Sequence, residues 1–140
     1  MKKIIAIIFS IAILFLSIFL YFHFFSFKKV NLNGYIFKAE LAASDAKRTE
    51  GLSKRKDICE NCAMLFIFEK PGEYSFWMKD TRFSLDIIWI LNNEIAYIAN
   101  DIPADSKESL EPPVLADKVL EINGGLAEKY GLKVGDEVKF

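Results

Sequence analysis

From Ile4 to Phe27 the chain runs 24 residues in which only Ser10, Ser17, His23 and Ser26 break the apolar character. A helix of that length crosses roughly 30 Å of hydrocarbon. It divides the 140 residues into an N-terminal segment, 1–29, and a soluble domain, 30–140. A cleaved signal peptide would carry small residues before its cleavage site. Here Phe22, His23, Phe24, Phe25 and Phe27 occupy that place, and no cysteine follows for lipoprotein processing. The pattern predicts an uncleaved, single-pass signal anchor. Lys2 and Lys3 on one side nearly balance Lys28 and Lys29 on the other. A short basic N-terminus stays in the cytoplasm, which places the C-terminal domain outside it.

The soluble part keeps all 19 acidic residues and 14 of the 18 basic ones, a formal charge of −5. That balance argues against a nucleic-acid module, which needs a basic face. About 110 residues suffice for one modest core. Strand patterns cover Leu32–Ala42, Ala63–Glu69, Tyr74–Lys79, Leu85–Leu91, Glu94–Ala99, Asp117–Ile122 and Asp136–Phe140. Ser44-Asp45 opens a helix to about Ser53, with serine as cap. Lys70-Pro71-Gly72-Glu73 and Asn92-Asn93 read as hairpin turns. Residues 54–62 form a charged loop, 101–116 a long one, and Gly125–Tyr130 a helical turn. The expected architecture is α+β, mostly β: a compact sandwich or partly open barrel with one or two short helices.

Chemistry is concentrated around Phe76-Trp77-Met78-Lys79-Asp80-Thr81. On a strand, Tyr74, Phe76 and Met78 share one face, and Ser75, Trp77 and Lys79 the other. Asp86 follows inside Leu85–Leu91, where both faces read as buried. A carboxylate there needs a cationic or amide partner. Arg48, Leu52 and Arg55 stand at i, i+4 and i+7, one stripe if the helix continues that far. These residues allow two readings. One is an anion clamp of Arg48, Arg55 and Lys79 around a carboxylate, phosphate or sulfate. The other, which paired structural ions favour, has an arginine neutralising Asp86 or Asp80.

The only histidine, His23, lies in the apolar segment. No Ser-His or Cys-His pair can therefore form in the domain, and with Cys59 and Cys62 there are too few ligands for a zinc site. Outside the cytoplasm, Cys59-Glu60-Asn61-Cys62 is best read as a loop-closing disulfide. Gly124-Gly125 lacks the pattern of a phosphate loop and reads as a turn. Nothing calls for a metal or cofactor.

Several segments together resemble a family of uncharacterised prokaryotic proteins, domain-of-unknown-function family 192 (DUF192). They are Ser44 with Arg48, Gly51-Leu52-Ser53-Lys54-Arg55, Ala63-Met64-Leu65-Phe66, Phe76–Thr81, Ser84-Leu85-Asp86-Ile87, Val119-Leu120-Glu121, and Gly131 to Asp136. The likeness covers about residues 38–140. This chain departs from the family pattern at Lys47 (for Glu), Ser53 (Met), Ala63 (Gly), Asp80 (Asn) and Ser84 (Pro). The resemblance implies a compact, mostly β fold and frequent export or membrane anchoring, with no established reaction.

The leading expectation is a membrane-anchored extracytoplasmic domain that binds a small ligand, anions among the candidates, or serves as an envelope accessory module. Its pocket would use Arg48, Arg55, Trp77, Lys79, Asp80, Thr81 and Asp86. Two other expectations stand beside it. One is a hydrolase or lyase pairing Asp86 or Asp80 with Lys79. The other is a purely structural or interaction domain. Binding is favoured over catalysis.

Overall fold

A computed structural model describes residues 2–24, 27–104 and 106–140. Of the expected anchor, Met1, Phe25 and Ser26 lie outside the described residues, as does Asp105 of the expected long loop. The N-terminal segment forms α1 (Lys2–Phe24). Its described side chains, residues 7–18, are exposed, among them Phe9, Leu14 and Phe15. Among the described residues no helix is long and apolar enough to cross a membrane.

The apolar run also ends differently from its hydropathy. Phe27, Lys28 and Lys29 belong to β1 (Phe27–Leu32), paired antiparallel with Glu40, Ala39 and Lys38 of β2 (Tyr35–Ala42). The single strand expected over Leu32–Ala42 is thus the end of a hairpin. Asn33 and Gly34 turn it with φ of 50° and 90°, the left-handed pair of a type I′ turn.

After β2 come α2 (Asp45–Glu50), β3 (Cys62–Gly72), β4 (Leu85–Leu91), β5 (Glu94–Ile102), β6 (Ala116–Asn123), α3 (Leu126–Lys129) and β7 (Val138–Lys139). They form one seven-stranded sheet in the order β5-β4-β6-β3-β2-β1-β7. Only β2 and β3 run parallel. The sheet curls until its two edges nearly meet. Ile95 N–H donates to Asp136 O at 3.0 Å and Gly135 N–H to Ile95 O at 2.8 Å. The result is a half-barrel with few short helices, the partly open form of the expected fold.

The inner face draws buried side chains from all seven strands, including Leu32, Phe37, Leu65, Ile88, Ile95, Leu120 and Val138, and α3 adds Leu126 and Ala127. The outer face of β2 to β6 carries a second cluster around Met64, Phe66, Ile87, Trp89 and Val119. β4 is apolar on both faces because both faces are covered.

Two expectations fail here. Tyr74–Lys79 is not a hairpin partner of β3, which runs through Pro71 to Gly72 along a register irregularity. Residues 73–84 instead lie over the outer cluster outside the sheet, with one bridge, Phe76 to Leu110, and a turn at Lys79-Asp80. Phe76 packs edge-on against Phe66 and Trp89, at 4.8 and 5.8 Å between centroids. Burial of these rings holds the segment where a ladder was expected. The alternation of faces still holds: Met78 is 2% exposed and Trp77 58%.

The second failure is the helical stripe. α2 begins at Ser44, whose hydroxyl accepts from Lys47 N–H, but ends at Gly51 with φ 51° and ψ −136°. That conformation is open in practice only to glycine. Arg55 therefore lies on the following loop, off the face that carries Arg48.

Candidate functional site

Asp86 sits on the inner side of β4 and is fully buried. Its partners are backbone amides rather than an arginine. Oδ1 accepts from Asp101 N–H at 2.7 Å and Gly125 N–H at 3.0 Å, and Oδ2 from Ala127 N–H at 2.6 Å. Two of these donors belong to the start of α3, where unpaired N–H groups attract negative charge. Asp86 thus fastens α3 and the end of β5 to the sheet. Saturated and enclosed, it cannot act as a base for Lys79, so the proposed Asp86–Lys79 pair does not exist.

The expected cation clamp is also dispersed. Arg48 donates to Ala43 O (2.7 Å), Ile67 O (2.8 Å) and Asp45 Oδ1 (2.6 Å), with its guanidinium 5.5 Å from the Phe68 ring centroid. Arg55 pairs with Glu40 at 2.9 Å. Lys79 is exposed, its ammonium 5.1 Å from the centroid of the Trp77 ring.

Met78 O accepts from Thr81 N–H at 3.1 Å, closing a turn whose third residue, Asp80, has φ 56°. That is the pattern of a type II turn, in which Asn and Asp are the non-glycine residues best tolerated. Asp80 therefore suits the turn, and its carboxylate is exposed. Cys59 and Cys62 are disulfide-bonded at the entry to β3. Asn123 of β6 donates to Ile58 O and Cys59 O, holding that loop against the sheet.

The structure supplies a residue that sequence reasoning missed. Glu121, in the middle of β6, faces the outer cluster. Its cross-strand neighbours are Met64 on β3 and Ile87 on β4, with Glu40 of β2 beyond Met64 in the same row. Glu121 is 5% exposed, and its Oε2 has no hydrogen-bond partner among the described residues. Burial raises its pKa from 4.5 to about 8, against a smaller downward pull from the Arg55 guanidinium. At neutral pH it is mostly an uncharged carboxylic acid, able both to donate and to accept.

Above Glu121 is a groove. Residues 48–53 of α2 and its following turn form one wall, Phe66 and Phe76 another, and Trp77 and Thr81 the rim. Its enclosed space is about 30 Å³, enough for a water or two. A buried polar oxygen beside such a space is satisfied by an ordered water or by a polar group of a ligand. Trp77 also walls a second, wider cleft with Lys79, Asp80, Ala104, Ser106 and Lys107. Of the expected site residues, the structure therefore unites Arg48, Trp77 and Thr81 around Glu121. It leaves Lys79 and Asp80 in the neighbouring cleft, and places Arg55 at Glu40 and Asp86 on the opposite face. Among the described residues no group of three potential ligands could hold a metal ion.

The curled half-barrel sheet with few short helices makes this a β-rich α+β domain. The chain belongs to the DUF192 family, described as "Uncharacterized ACR", which it matches over residues 28–140. A solved protein of unknown function from Novosphingobium aromaticivorans DSM 12444 is 33% identical, with a TM-score of 0.76 over 81% of this chain and 85% of that one. A protein from Sinorhizobium meliloti 1021, described as a proposed transcription regulator, is 28% identical, with a TM-score of 0.76 over 81% of this chain and 95% of its own. No curated protein matches.

Proposed function

We propose that this chain is a membrane-tethered, extracytoplasmic domain that binds a small ligand in the groove over Glu121. The observation that carries the binding reading is the buried, unpartnered Glu121 oxygen facing a groove with aromatic walls. The tether rests on the Ile4–Phe27 run and its lysine flanks. β1 starts three residues after α1 ends, which would hold the domain close to the bilayer. The Cys59–Cys62 bond suits an oxidising compartment. Regulation of transcription, the description given to one relative, finds no support in a domain whose formal charge is −5.

Thermal-shift measurements on the full chain in a non-glycosidic detergent test the binding. The panel is inorganic phosphate, acetate, acetamide, benzamide, glucose and N-acetylglucosamine. At least one should raise the Tm of wild type and leave that of Trp77→Ala unmoved. Trp77 is exposed enough that its loss costs about 1 kcal/mol or less in stability. A flat response across the panel would overturn the reading. The compartment is tested on intact cells with a membrane-impermeant maleimide. Cys59 and Cys62 should label only after an impermeant reductant is added. Labelling that requires lysis would place the domain on the cytoplasmic side.

A further inference from the structure

We propose that the ligand class of the Glu121 groove is a neutral saccharide, bound by inserting one hydroxyl group against the Glu121 carboxyl. This rests on the groove being a binding site at all, and narrows what it takes. The first argument is the state of the cations. Arg48 spends three of its five N–H donors on Ala43 O, Ile67 O and the Asp45 carboxylate, and Arg55 is paired with the Glu40 carboxylate, so each cation already has a compensating anion. Lys79 lies beside the Trp77 ring and does not line the groove. An incoming carboxylate or phosphate would compete with those carboxylates, and it would lie beside Glu50 as well as Glu121.

What the groove does offer is neutral hydrogen bonding next to flat apolar surface. Glu121 Oε2 has no partner, and the hydroxyl-bearing residues Thr49, Ser53 and Thr81 line the same space. Trp77 stands exposed at the rim, above Phe76. A sugar ring has the matching character: an apolar C–H face to lie on an aromatic ring, and hydroxyls at its edge. The enclosed space of about 30 Å³ admits a small polar substituent and leaves the ring itself on the rim.

The charged groups around Glu121 are Arg55 on the loop after α2, Arg48 and Glu50 on α2, and Glu40 on β2. With Arg48 and Arg55 committed elsewhere, Glu121 keeps its proton up to about pH 8. Above that pH the carboxyl loses its donor, and binding weakens.

Equilibrium titration of the full chain in phosphocholine-headed detergent, followed by tryptophan fluorescence, tests this. The probes are glucose, N-acetylglucosamine, acetate and inorganic phosphate, at pH 6.5 and pH 9. At least one sugar should saturate at pH 6.5 and bind about tenfold more weakly at pH 9. Glu121→Gln, which keeps a donor and an acceptor, should bind that sugar equally at both pH values, and Glu121→Leu should not bind it. Saturation by acetate or phosphate with both sugars inert would overturn the saccharide assignment and leave the groove a binding site. Sugar binding that is equal at both pH values in wild type would remove Glu121 from recognition. No saturation by any of the four, with a flat thermal-shift panel, would overturn both readings.

Discussion

Glu121→Gln should stabilise the ligand-free protein at pH 8 by roughly 3 to 5 kcal/mol, and should abolish most of the fall in stability between pH 5 and pH 8. The sign follows from proton counting. In the unfolded chain a glutamate ionises near 4.5, whereas the folded chain holds the Glu121 proton to about 8. Between those values the folded state binds more protons than the unfolded one, so rising pH favours unfolding. Below 4.5 both states are protonated and the penalty disappears; above 8 it stays constant. Glutamine has the same shape and no charge to lose. Urea unfolding of the full chain at pH 5 and pH 8 measures the difference, and a Tm gain of roughly 12 to 20 °C at pH 8 should accompany it. Parallel pH profiles for wild type and variant would mean that Glu121 is ionised in the fold.

That carboxylate was the hardest feature to find in the sequence, for a definite reason. A lone Glu between Leu120 and Ile122 looks like the solvent side of an amphipathic strand. Its burial comes from Met64 and Ile87, 57 and 34 residues away, and from a cover formed by two further segments. No local pattern reports such neighbours. Asp86 was half legible. A carboxylate inside an apolar run must be buried and partnered, but backbone amides leave no mark in the sequence, so the arginines seemed the natural partners. Gly51 was the readable sign that the Arg48-Leu52-Arg55 stripe would break, since its conformation ends α2. Asn33-Gly34 was equally readable as a turn. Asn33-Gly34 lies inside a longer alternating apolar stretch that masks the turn, whereas Gly51 interrupts a charged stretch whose arginine spacing masks the helix end.

The Phe76–Thr81 segment shows what periodicity can and cannot say. Alternation correctly assigned Met78 to the core and Trp77 to the outside. It could not say whether another strand lies alongside, because the spacing of side chains is the same for any extended backbone. The motif's task is now explicable without chemistry at Lys79. Phe76 and Met78 pin the segment to the outer cluster, the left-handed Asp80 turns it, and Trp77 and Thr81 are thereby carried over Glu121.

Asp86→Ala should destabilise the fold by about 3 to 5 kcal/mol, and Asp86→Asn by about 2 to 4. Three backbone N–H groups end on this one carboxylate, each within 3.0 Å, at a position shut off from water. Alanine leaves all three buried donors without acceptors. Asparagine has a single oxygen, so its amide must face either Ala127 N–H or the Asp101 and Gly125 pair, donor against donor. The losses should be local as well as global. Hydrogen exchange at Gly125, Ala127 and Asp101 should accelerate before the rest of the sheet, because α3 has only four residues and nothing else satisfies its first amides. Lys79→Ala provides the contrast: an exposed side chain resting on Trp77, it should shift stability by less than about 0.5 kcal/mol. Denaturant unfolding of the three variants decides the matter. An Asp86→Ala protein within about 1 kcal/mol of wild type would mean that water replaces the carboxylate, and that α3 does not depend on it.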